Sequence, residues 1–186
     1  AIQVFSQFTA HPACGGGDCV LSYSSDQMAG LDHVYALRGT HNIASANMSL
    51  GGGFYYNQGV CDADNAGVKA AIDNLRGAGI ATVIASGNAG FCDGISGPAC
   101  ISTAVAVGAT TDSGFDLFSN RHPTLLDIYA PGVNILSSVG TSNSSYDGTW
   151  SGTSMATPHV AGAWAILKQA DPGADVATIL SALQTT

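Results

Sequence analysis

The residues with the clearest chemical content are Gly152-Thr153-Ser154-Met155-Ala156-Thr157-Pro158-His159, which put a serine at the head of an apolar run reaching Leu167. A hydroxyl placed there meets the free N–H groups and the positive dipole end of a helix, both of which favour developing negative charge. That setting suits a nucleophile whose reaction passes through an oxyanion. A lone serine before a helix is usually only its N-cap, and it is the eight consecutive positions of this pattern that single Ser154 out. A second segment, Ala85-Ser86-Gly87-Asn88, follows the buried-type run Ala81 to Ala85 and so falls at the carboxyl end of a strand, where open α/β sheets place their ligands. An asparagine amide there can donate to an oxyanion, a contact whose loss typically costs about 3 kcal/mol of transition-state stabilisation. A third, Ser49-Leu50-Gly51-Gly52, follows another such run and offers bare backbone on which an extended peptide could pair as an added strand.

Taken together, these three segments resemble the subtilisin-like serine proteases, and Asp127-Ile128-Tyr129-Ala130-Pro131-Gly132 fits a structural segment of the same family. The resemblance implies Ser154 as nucleophile and Asn88 as oxyanion donor. It implies Ser49, Leu50, Gly51, Gly52, Ala85, Ser86 and Gly87 as the residues that receive a peptide or ester substrate. It runs from Ala1 nearly to Thr186, covers roughly the C-terminal two-thirds of such a catalytic domain, and is similar to the small, cysteine-bearing secreted bacterial members. The family's aspartate segment (Asp-Thr/Ser-Gly) and histidine segment (His-Gly-Thr-His) do not occur in these residues. The expectation is a single subtilisin-like domain over 1–186, truncated at the N-terminus and without its usual base.

A neutral serine needs a base within hydrogen-bond reach, and the chain has five histidines that could supply one. His159 lies five residues beyond Ser154, about 140° around a helix, and reads as a packed core histidine. His33 reads as a solvated helix residue, and His41 should sit at the opposite end of the sheet. His122 follows Phe118-Ser119-Asn120 in a loop on the expected leaving-group side. His11, just past an expected strand Ile2 to Phe5, is the best recruited base, with Asp18 in the same loop to orient it. Oxyanion stabilisation and binding without a base still leave about 10³ to 10⁴-fold acceleration over water. Weak esterase activity is therefore expected to exceed peptidase activity. The alternatives are an inactive peptide-binding remnant, or a fragment completed in trans by a separate N-terminal chain.

These side chains must be carried by a sheet. Ile43 to Ser49, Ala81 to Ala85 and Ala104 to Gly108 are continuously apolar, as parallel strands buried on both faces are. Helical patterns at Ser25 to Arg38 and Asp64 to Ala78 lie between them, giving right-handed crossovers. Leu126 to Ala130 and Ile135 to Ser138 add strands, Ser154 to about Gln169 and Asp175 to Leu183 add helices, and Thr40 to Asn42 and Ser142 to Gly148 read as polar connections. The fold class is α/β, a three-layer open parallel sheet flanked by helices. Loss of the family's aspartate strand leaves a gap: either Ile2 to Phe5 pairs with Ile43 to Ser49, or an apolar edge stays open and favours self-association.

Hydrophobic residues make up 46% of the 186 and charged residues 10%, enough for a real core. The formal charge of −8 argues against nucleic acid or an anionic membrane as partner. Five cysteines point to disulfides and a secreted, extracellular setting. Cys14 and Cys19, joined by a flexible glycine loop, are expected to pair, while Cys61, Cys92 and Cys100 leave the choice open. No cofactor or metal is called for, since the acids of Asp62-x-Asp64 with Asn65, which could supply calcium oxygens, serve equally well at a helix N-terminus.

Overall fold

The computed structural model describes residues 1–111, 113–115, 117–139, 142 and 144–185. In chain order its elements are β1 (Ser6–Phe8), β2 (Cys19–Leu21), α1 (Ser24–Leu37), β3 (Ser45–Met48), β4 (Gly52–Tyr55), α2 (Gln58–Asp64), α3 (Ala66–Gly77) and β5 (Ala81–Ala85). They continue with β6 (Ile95–Gly97), β7 (Val105–Thr111), β8 (Gly114–Phe115), β9 (Ile128–Pro131), β10 (Ile135–Ser138), β11 (Tyr146–Trp150), α4 (Thr153–Ala170) and α5 (Val176–Gln184).

Every residue of β5 is buried because the strand is covered on both faces. It pairs in parallel with β3 on one side and β7 on the other, and β9 extends the parallel sheet beyond β7. Successive strand residues point to opposite faces, and the two cores follow that alternation. Ile84 and Ala106 pack with Leu31 of α1 and with Val68, Ile72 and Leu75 of α3. Val83, Val105 and Val107 pack with Ala156, Val160 and Trp164 of α4 and Ile179 of α5. The result is the expected helix, sheet, helix sandwich. The crossovers leave the carboxyl ends of β3 and β5 at one rim of the sheet, where Ser49 and Ser86 follow them directly.

Three expectations are corrected. Ile2 to Phe5 is not a strand. Val4 and Ile2 instead lie over α1, with Val4 Cγ1 2.9 Å and Ile2 Cγ2 3.6 Å from where a Cβ at Gly30 would be, while the strand pairing is made by β1 and β2 as an antiparallel hairpin. A disulfide between Cys14 and Cys19 closes that hairpin. The pattern from Asp64 to Ala78 belongs to two helices, because Asn57 caps α2 by accepting from the Val60 N–H and the chain breaks at Asn65. The stretch Ser142 to Gly148 is not all connection: Tyr146 opens β11, which pairs antiparallel with β10, while residues 140, 141 and 143 lie outside the described residues.

Of the two outcomes for the gap beside β3, the structure takes the open one. Among the described residues, β3 pairs only with β5, and a cavity of about 430 Å³ lies between Ala1 to Phe5, α1 and β3. Cys61 pairs with Cys100, and Cys92 is free and exposed.

Candidate active site

Ser154 is the second residue of α4 and is half-buried. Its hydroxyl donates to the Ser49 carbonyl at 3.4 Å, and the Ser49 hydroxyl donates back to the Ser154 carbonyl at 2.8 Å. The second bond has a cause in the sequence. An α-helical carbonyl normally accepts from the N–H four residues on, and here that residue is Pro158, which has none. Pro158 therefore leaves the Ser154 carbonyl to Ser49, tying α4 to the end of β3.

Asn88 stands across from Ser154 at the end of the β5 loop. Its Oδ1 accepts from the Thr153 N–H at 2.8 Å and from the Thr153 hydroxyl at 2.9 Å. With the oxygen so held, the Nδ2 donors are directed away from Thr153. Thr153 is fully buried, and its Oγ1 also accepts from the Gly87 N–H at 3.2 Å. Gly87 has φ +102°, and a Cβ there would collide with Ser96 and Asn120. Only glycine fits this turn.

The two segments meet around a cleft of about 750 Å³. Ser49, Leu50, Gly51 and Gly52 form one side, and Ala85, Gly87 and Asn88 the other, with Thr153 and Ser154 at the end. Ser86 is not on this surface: it is fully buried and its hydroxyl donates to the Asn120 carbonyl at 3.0 Å. Sequence reasoning missed Phe54 and Phe91, whose rings meet edge to face at 4.7 Å on the cleft wall. It also missed Ser96, a further lining residue. These lie on β4, β6 and a loop without a motif of their own, so only the pairing of β4 with β6 brings them in.

Two of the histidines, His11 and His159, are placed differently from expectation. His11 and Asp18 are absent from both clefts that Ser154 borders. His11 Nδ1 accepts from the Ala13 N–H at 3.2 Å, and Asp18 Oδ1 accepts from the Ala10 N–H at 3.1 Å, so each serves the local loop and not the other. His122 Nδ1 accepts from the N–H groups of Thr124 and Leu125. His33 is exposed, as anticipated, and His41 Nδ1 lies 2.9 Å from the Thr40 hydroxyl. His159 is not a core residue. It is exposed, its Nδ1–H donates to the Met155 carbonyl at 2.9 Å, and it lines a second cleft of about 570 Å³ with Ser154, Leu136 and Trp150.

Asp62 accepts from both the N–H and the hydroxyl of Ser102. Among the described residues no group of three His, Cys, Asp or Glu is arranged to hold a metal ion, and no helix is long and apolar enough to cross a membrane.

The comparisons agree with this architecture. The family model described as the subtilase family matches residues 11–186. The extracellular serine proteinase of Thermus sp. (strain Rt41A) is 36% identical over 182 residues, 94% of this chain and 40% of that protein. Subtilisin BL of Lederbergia lenta is 37% identical over 148 residues, 80% of this chain and 50% of its own length. The chain thus spans half or less of these relatives. A crystal structure of a cold-adapted subtilisin-like serine proteinase superposes with a TM-score of 0.69 at 33% identity, covering 89% of this chain and 55% of that one. A protease from Pseudoalteromonas arctica gives 0.72 at 30% identity, covering 89% and 52%. A family match over nearly the whole chain, on a parallel sheet whose rim gathers Ser154 and Asn88, makes this chain a member of the subtilase family.

Proposed function

We propose that the chain is a serine hydrolase of subtilisin-like type that acts on ester or peptide carbonyls through Ser154, with Asn88 as oxyanion donor. The observation that carries the reading is the fixation of the Asn88 oxygen by Thr153, which leaves the Nδ2 donors for a ligand beside Ser154. In the reaction Ser154 Oγ forms a bond to the carbonyl carbon, the carbonyl oxygen takes the negative charge against Asn88, and the leaving group departs as the carbonyl re-forms. Water then cleaves the acyl-serine. No histidine bonds to the Ser154 hydroxyl among the described contacts, so the serine proton passes to solvent. A phenolate can leave unaided, whereas an amine needs an acid. The isolated chain is on this reading a weak esterase before it is a peptidase, with its substrates met outside the cell, a setting supported by its two disulfides.

The deciding experiment is the initial rate of p-nitrophenyl ester hydrolysis by the chain beside Ser154→Ala. A Ser154-dependent rate supports the reading, and equal rates overturn it. A second reading, completion by a separate N-terminal chain, is favoured by the outer edge of β3, which has no strand partner among the described residues, and by the apolar cavity next to it. Recovery of peptidase activity on adding that part of a relative would identify it. Binding of extended peptides with no turnover in either experiment would point to a non-catalytic remnant.

A further inference from the structure

Asn120 is fully buried, on a loop away from the cleft surface, and none of its side-chain hydrogen-bonding capacity is spent on its own neighbours in the chain. Its Oδ1 accepts from the N–H groups of Ala89 at 2.9 Å and Phe91 at 3.1 Å, the residues directly after Asn88. Its Nδ2 donates to the Ser86 carbonyl at 3.1 Å and to Ser96 Oγ at 3.2 Å. The main chain adds to this, with the Asn120 N–H donating to the Gly87 carbonyl at 2.9 Å.

Ser96 carries the connection onward, because its hydroxyl donates to the Gly53 carbonyl at 3.2 Å on the opposite wall of the cleft. One amide thus spans from the loop that presents Asn88, through Ser96, to the glycine segment after Ser49. A loop with Gly87 and Gly90 both at positive φ has little stiffness of its own. Buried polar groups that lose their partners are costly to leave unsatisfied, so the Asn120 amide ties the loop beside the main-chain bonds from the Gly90 N–H to the Phe118 carbonyl and from the Arg121 N–H to the Phe91 carbonyl, both 2.8 Å.

We propose that Asn120 is a positioning residue: it fixes the Asn88 loop against the Gly53 wall, and so sets both the oxyanion donor and the width of the cleft. This deepens the hydrolase reading and, for its catalytic consequence, rests on it. The neighbouring Ser119 supplies a control for the side-chain amide, since it is equally buried but its Oγ accepts from the Ala109 N–H in β7 at 2.9 Å and donates only a long bond, 3.4 Å, to the Asn120 main-chain carbonyl, which Ser86 also holds.

The test compares Asn120→Ala, Asn120→Asp and Ser119→Ala by amide hydrogen exchange and by Ser154-dependent p-nitrophenyl ester hydrolysis, with rates corrected for folded fraction. Asn120→Ala is expected to lose protection at the Ala89 and Phe91 amides, Asn120→Asp to keep it through the retained acceptor oxygen, and Ser119→Ala to leave it unchanged. The turnover number should fall at least tenfold in Asn120→Ala and less than twofold in Ser119→Ala. Retained protection at Ala89 and Phe91 in Asn120→Ala, or equal losses in the Ser119 variant, would overturn the proposal. If the parent chain shows no Ser154-dependent rate, the hydrolase reading fails by itself, and the exchange pattern still decides whether Asn120 sets the loop.

Discussion

At the scale of single residues, Ser154 and Asn88 are each held by a neighbour, Ser49 and Thr153. Among the described residues the Ser154 hydroxyl makes a long bond to the Ser49 carbonyl, 3.4 Å, which an entering carbonyl group can displace at little cost. Thr153 holds the Asn88 Oδ1 through both its N–H and its hydroxyl, which on the proposed reading turns the Nδ2 donors to the cleft. Thr153→Val keeps the shape and the N–H contact but removes the hydroxyl; it is expected to lower Ser154-dependent ester turnover about tenfold, of the order of one charge-free hydrogen bond. Thr153→Ser should retain most of the rate, and steady-state kinetics on both variants would show this. Asn88→Leu removes the donor itself, and a loss of about 3 kcal/mol, near a hundredfold in turnover, is expected. A rate unchanged in Asn88→Leu would sink the oxyanion role.

At the scale of elements, the helix that carries Ser154 and the strand that ends at Ser49 are coupled through a missing N–H. Pro158→Ala would restore the helical bond to the Ser154 carbonyl and compete with the Ser49 hydroxyl. Ser49→Ala is therefore expected to cost about 1 kcal/mol in the parent and much less in the Pro158→Ala background. A double-mutant cycle by urea unfolding measures the difference, and strict additivity would refute the coupling. The start of α5 gives a pH-dependent case. Asp175 accepts from the Thr178 N–H at 2.8 Å, and that hydrogen bond holds its carboxyl below the usual value. A folded-state pKa below the unfolded one stabilises above the unfolded pKa and is lost as pH falls through the folded one. Asp175→Ala should lower the melting temperature at pH 7, and the gap should close at pH 2.

The same scale shows what could be read from sequence. The strands β5 and β7 were legible because burial on both faces writes a continuous apolar run, and α4 because its motif and its apolar run coincide. Ile2 to Phe5 has the composition of a strand, yet a strand exists only with a partner, and here Val4 and Ile2 lie over Gly30 of α1 instead. Ser154, Asn88 and the Ser49 to Gly52 segment are recognisable as local strings. Asn120, Ser96 and Phe91 are not, because what matters about them is contact across the fold between loops with no shared pattern.

At the scale of the whole molecule, the apolar interior is divided into two cores by the sheet, and the Cys61–Cys100 bond links α2 to the segment before β7 across a separation of 39 residues. Closing a loop of that length restricts the unfolded chain by about 4 kcal/mol, against about 2 kcal/mol for the short Cys14–Cys19 loop. Replacing Cys61 and Cys100 by alanine is thus expected to destabilise about twice as much as replacing Cys14 and Cys19, as read by equilibrium denaturation. Equal effects would show that the unfolded chain is not the place where these bonds act.

Cys92 lies outside both bonds, exposed, with the Arg121 Nη2 donating to its sulfur at 2.9 Å. It directly follows Phe91, whose ring forms part of the cleft wall and whose N–H is held by Asn120. The other four thiols being consumed, a maleimide dye would attach at this one position without any engineering, and its emission would report ligand entry in real time, independently of whether the ligand is ever turned over.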